Sequence, residues 1–137
     1  MRLILVDSGV MSRYISRVDS FVTAIDNIGQ KRIIVSAVTK IELINWVNGY
    51  KSQLGLTKYR ANLSAINQLP VIQIDRKVSA IAVDLSRRYT IKVPDLLIAS
   101  TALNNDIEIF TINDKDFKIK GVNLYIPENY ANIKISL

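Results

Sequence analysis

Short runs of apolar residues recur along this chain, and between them lie stretches whose apolar residues return at helical spacing. The runs are Leu3-Ile4-Leu5-Val6, Arg32 to Val35, Pro70 to Ile74 and Ile107 to Thr111. A strand that is apolar on both faces belongs in a parallel sheet covered by helices on both sides. The alternation therefore predicts an α/β three-layer sandwich around a mainly parallel sheet. Val122–Ile126 reads as a fifth, edge strand. Helices are expected over Ser8–Ser16, Asp19–Ile28, Ala37–Gly49, 51–69, Arg76–Thr90 and Asp95–Asn104, with Asp75 capping the fifth. The tail beyond Pro127 carries no clear signal. No repeat or linker interrupts the 137 residues, so one domain spanning 1–137 is expected.

What is missing narrows the chemistry. The chain has no His and no Cys. That removes imidazole bases, Ser-His-Asp and Cys-His catalysis, thiolate or imidazole metal sites and disulfides. Eighteen Lys and Arg against twelve Asp and Glu leave a formal charge of +6, which favours a polyanion or an acidic partner. The first apolar run is too short for a signal peptide, and no stretch reaches the ~18–20 apolar residues of a membrane span. A soluble, cytoplasmic protein is expected.

With so few acids, their positions carry information. Asp7 follows the first strand directly. Glu42 lies in the helix after the second. Asp95 opens an apolar helix after Pro94, and Asp114 and Asp116 lie just past the fourth strand. Each has an ordinary explanation. Asp7 and Asp95 suit helix caps, Glu42 suits a capping box with Thr39, and Asp114 and Asp116 suit a turn. In a parallel sheet, however, all strand C-termini share one edge, where ligand sites form. Carboxylates gathered there repel; two unit charges 4 Å apart interact by about 4 kcal/mol at an effective dielectric near 20. A hard divalent cation with oxygen ligands relieves this, and Mg²⁺ held by carboxylates commonly engages phosphate oxygens.

At these residues the sequence resembles the PIN-domain ribonucleases, most closely the VapC-type toxins of toxin–antitoxin pairs. LILVDSGVM is similar to the family's opening strand with its Asp. VSAVTKIEL is similar to the segment bearing the family Glu, VPDLLIASTAL to the Asp before a Leu-Leu-Ile-Ala-like run, and IEIFTINDKDF to the closing strand and acidic turn. The resemblance implies a sheet order of 3-2-1-4-5, a homodimer and an antitoxin partner. It implies hydrolysis of RNA phosphodiester bonds with Mg²⁺ or Mn²⁺. Asp7, Glu42, Asp95 and Asp116 take the acidic positions; Asp7, Asp95 and Asp116 would hold metal, and Glu42 would orient or deprotonate water. Asp114 is the alternative fourth acid, with Asn113 a neutral neighbour where some relatives place an acid. Ser8 and Thr111 match hydroxyls common around such sites. Gly9 is a departure, because many relatives carry Asn or Ser there.

The cations nearest that edge by sequence are Lys40, Lys92, Lys115, Lys118 and Lys120, with Arg13 and Arg17 after the Asp7 turn. They are expected to meet RNA phosphates or to form a solvated face. Between residues 37 and 69, Trp46, Val47, Tyr50, Leu54, Leu56 and Tyr59 exceed one buried stripe, so some are expected to line an antitoxin groove. The rival readings are a catalytically silent PIN-like module that binds RNA or protein, and a phosphoacceptor domain built on Asp7. The second is disfavoured by Gly9, where a phosphatase of that kind needs an Asp.

Overall fold

The computed structural model describes residues 2–137. Strand β1 (Ile4–Val6) is followed by helices α1 (Ser8–Ile15) and α2 (Asp19–Ile28). Then come β2 (Ile33–Ser36), α3 (Ala37–Gly49), α4 (Lys51–Leu54), α5 (Leu56–Asn67) and β3 (Val71–Ile72). The chain closes with α6 (Arg76–Arg88), α7 (Val93–Asn105), β4 (Glu108–Phe110) and α8 (Tyr130–Ile135). The strands lie in the order β3-β2-β1-β4. All three pairings are parallel, with Leu5 opposite both Ile34 and Ile109.

The pleat sends alternate residues to opposite faces. Ile4, Val6, Ile33, Val35 and Phe110 pack against α1, α2, α3 and α5, and Ile133 of α8 joins them. Leu5 and Ile109 face the other way, onto Leu85 of α6 and Leu96, Ile98, Ala99 and Ala102 of α7. Helices on both faces explain why β1 is apolar throughout. Full burial of each of its side chains contributes about 1.5–3 kcal/mol. Helix α7 tolerates polar residues in this layer because the Ser100 and Thr101 hydroxyls donate to the carbonyls of Leu96 and Leu97, at 2.6 and 2.7 Å.

The expected α/β sandwich with helices on both faces is present, with four strands in place of five. The segment expected as the fifth strand forms a single parallel bridge, Ile109 to Leu124. It lies beside β4, as the expected order required, with backbone bonds from the Ile109 amide to Asn123 and from the Tyr125 amide to Ile109. Gly121 (φ +91°) and Pro127 bracket it and leave little extended chain to pair. The helix expected over 51–69 breaks at Gly55 (φ +80°) into α4 and α5. Helix α7 begins at Val93, two residues before the expected start, because Pro94 fits a first helical turn, where its missing N–H has no partner to lose. The tail forms α8, anchored by buried Ile133 and by Asn129 Nδ2 donating to the Ser20 carbonyl at 2.9 Å.

No helix among the described residues is long and apolar enough to cross a membrane.

Candidate metal and nuclease site

Asp7 sits where β1 ends. Its amide donates to the Phe110 carbonyl of β4 (3.0 Å), which ties it to the neighbouring strand. Its carboxylate is buried and oriented by one bond to each oxygen: Oδ1 accepts from the Ser8 amide at 2.7 Å and Oδ2 from Thr111 Oγ1 at 2.8 Å, which leaves each oxygen a further acceptor site. Thr111 in turn accepts from the Asn113 amide at 3.0 Å. Asp7 is therefore both the α1 cap and a fixed acid on the sheet edge.

Glu42 is in the second turn of α3 and is not part of a capping box. Ser36 caps that helix, its hydroxyl accepting from the Thr39 amide. Glu42 is free to point elsewhere, and its Oε1 is buried with no hydrogen-bond partner. Asp95 lies in the first turn of α7; the residue at the cap position is Lys92, which makes no side-chain cap.

Electrostatics join these residues. Burial raises the pKa of Asp7, and the charge of Asp116 raises it further, while the Thr111 and Ser8 bonds oppose the rise. Burial also raises Glu42, with added repulsion from Asp7 and Asp95 and opposition from the nearby Ser8 hydroxyl. Asp95 is raised by burial, then by Asp7 and Asp116, with Lys92 pulling the other way. Asp7 and Asp95 thus lie within Coulombic reach of each other and of both Glu42 and Asp116, so the four acids come from four separate segments. Among the described residues they do not close into a group of three or more placed to hold an ion. The donor chemistry fits a hard divalent cation: every nearby ligand atom is oxygen, and the unpartnered Glu42 oxygen leaves one acceptor unsatisfied.

Asp114 belongs elsewhere. Its Oδ1 lies 3.7 Å from Lys134 Nζ on α8. Lys134 was not singled out from sequence, since twenty residues and a long connection hide the pairing. Asn113 is exposed and enters the site through its backbone amide. At Gly9, where the sequence departs from many relatives, a Cβ would crowd Ile112 Cδ1 at 3.1 Å. Among the cations, Arg13 is committed to its own surroundings, donating to the Gly9 carbonyl and lying 5.8 Å from the Phe21 ring centroid. Lys40 is half-buried, whereas Arg17, Lys92, Lys115, Lys118 and Lys120 are exposed. Of the apolar residues between 37 and 69, Val47 is buried, Trp46, Leu54 and Tyr59 are half-buried, and Tyr50 and Leu56 are exposed.

A parallel sheet covered on both sides, with carboxylates from four segments at the C-terminal edge of its strands, defines an acid-lined α/β domain. The chain belongs to the PIN domain family, whose sequence model matches residues 4–122. A search of the curated proteins finds no significant match. Among solved structures, the chain is similar in fold to VapBC2 from Rickettsia felis, described as bound to a DNA fragment from their promoter. The TM-score is 0.74 and the identity 22%, over 90% of this chain and 97% of that one. A toxin–antitoxin complex from Klebsiella pneumoniae gives a TM-score of 0.71 at 25% identity, over 87% and 94%. DNA-bound VapBC from Salmonella typhimurium gives 0.71 at 20%, over 91% and 98%.

Proposed function

We propose that this protein is a metal-dependent endoribonuclease and the toxin of a type II toxin–antitoxin pair. The observation that carries the catalytic reading is the unpartnered buried oxygen of Glu42, together with the repulsion that Asp7 and Asp95 share with each other, with Glu42 and with Asp116 at one sheet edge. The toxin reading and its antitoxin partner are supported by the fold likeness to toxin–antitoxin complexes; a homodimer and a cytoplasmic location are proposed with them.

Asp7, Asp95 and Asp116 would hold Mg²⁺ or Mn²⁺. When bound, the ion lowers the pKa of a water, polarises the phosphate and offsets charge on the leaving 3′-oxygen. Thr111 and Ser8 hold the Asp7 carboxylate in one orientation, so its position does not depend on substrate. Glu42 senses the charges of Asp7 and Asp95 and keeps a free oxygen. It orients the attacking water and accepts its proton, a role suited to a carboxylate held above its usual pKa. In-line attack leaves 5′-phosphate and 3′-hydroxyl ends. The whole scheme runs on oxygen ligands and carboxylate bases, as a chain without His or Cys requires.

The test is incubation of the protein with total RNA, with and without Mg²⁺, followed by sequencing of the new 5′ ends. Expected are discrete 5′-phosphate ends that depend on Mg²⁺ and vanish in Glu42→Gln. Equal cleavage in EDTA would contradict the reading.

A further inference from the structure

Two stretches far apart in sequence, residues 87–92 and 115–120, together hold six cations and one acid in twelve residues. The fold joins them: the Lys120 amide donates to the Tyr89 hydroxyl at 3.2 Å. Their apolar side chains point inward, with Phe117 and Ile119 buried and Ile91 half-buried, so the cations between them project outward. Arg88 is paired with Asp84 at 2.7 Å. Arg87, Lys92, Lys115, Lys118 and Lys120 are exposed and form no ion pair among the described residues. The patch is continuous with the acidic site, because Lys92 acts electrostatically on Asp95 and Lys115 adjoins Asp116.

We infer that this surface is a track for the phosphate backbone of single-stranded RNA, running from the acidic residues over the α6–α7 connection. The inference rests on the nuclease reading for its starting point. Five exposed, unpaired cations on long side chains beside the acidic site suit the successive phosphates of the strand that the site would cut. Contacts of this kind supply affinity and salt dependence without sequence preference.

The experiment measures RNA affinity by fluorescence anisotropy, using a labelled single-stranded oligonucleotide and protein carrying Glu42→Gln so that the RNA stays intact. Added to that background, Lys118→Glu with Lys120→Glu is expected to weaken binding roughly tenfold near 0.1 M salt and to lower the slope of log affinity against log salt by about 1.4, at ~0.7 per phosphate contact. The milder pair Lys118→Gln with Lys120→Gln guards against misfolding and should move both in the same direction. Lys31→Glu, at the opposite ends of the strands, should change neither. Wild-type affinity and slope in both pairs would overturn the track while leaving the nuclease reading intact. Intact affinity in a wild-type protein that never cleaves would overturn the nuclease reading and leave the track. Equal competition by polyglutamate of matched charge would make this an acidic-protein surface and overturn the proposal.

Discussion

Thr111 Oγ1 donates to Asp7 Oδ2 at 2.8 Å, so a residue beyond β4 fixes the acid that ends β1, 104 positions earlier in the chain. The bond is buried and its acceptor is a carboxylate. It therefore belongs to the stronger class of hydrogen bonds, contributing about 1.5–3 kcal/mol. Thr111→Val keeps the shape and removes the donor. The expected outcome is a loss of that order in denaturant unfolding, with at least a tenfold fall in RNA cleavage.

Asp114 and Asp116 are expected to separate cleanly. Asp114 pairs with Lys134 at 3.7 Å through solvent-exposed groups, and such pairs contribute little to stability. Asp114→Asn should leave cleavage within about twofold of wild type and unfolding within about 0.5 kcal/mol. Asp116→Asn removes a charge that Asp7 and Asp95 both sense, and should weaken Mn²⁺ binding tenfold or more. A calorimetric titration of each variant decides between them.

The raised acids give a pH dependence of definite sign. Asp95 is raised by burial and then by Asp7 and Asp116, so its ionisation is disfavoured in the folded chain. A carboxylate raised on folding supports stability below its unfolded pKa, near 3.8, and that support is lost as pH rises through the folded value. Asp95→Asn never ionises. In metal-free buffer its advantage in Tm over wild type should therefore grow as pH climbs above about 3.8 and level off beyond the folded value, and Mn²⁺ at neutral pH should narrow the gap by stabilising wild type. A Tm difference independent of pH would contradict this.

Gly9 sets two effects against each other. Replacing a helical Gly with Ala gains up to about 1 kcal/mol, yet the new Cβ would press on Ile112 Cδ1 at 3.1 Å. The blocking atom ends a flexible side chain, so the crowding should roughly cancel the gain, leaving Gly9→Ala near neutral. Combined with Ile112→Val, it should be more stable than the two single effects sum to, by about 0.5 kcal/mol. Chemical denaturation of the four proteins measures that coupling.

Local pattern was enough to read the buried strands and the placement of Asp7 and Glu42, because the apolar runs announce burial on both faces. The oxygen-only chemistry followed from the absence of His and Cys. The misreadings have both local backbone causes and long-range ones. The fifth strand shrank to one bridge between Gly121 and Pro127, and Gly55 in a positive-φ conformation split an otherwise helical stretch. Helix α8 is held by Asn129 and Ile133 against α2 and its neighbours, contacts its own composition does not reveal. The Lys134–Asp114 pair and the Tyr89–Lys120 bond likewise join segments separated by twenty or more residues. The crowding at Gly9 appears only once Ile112 is seen beside it.

The most direct measurement is calorimetric titration of Mn²⁺ into the wild-type protein and into Asp7→Asn with Asp95→Asn, both checked for folding by circular dichroism. Saturable binding to the wild type and none to the folded double variant is the expected result. Equal binding to both, or none to the wild type, would contradict a divalent cation site at the end of β1.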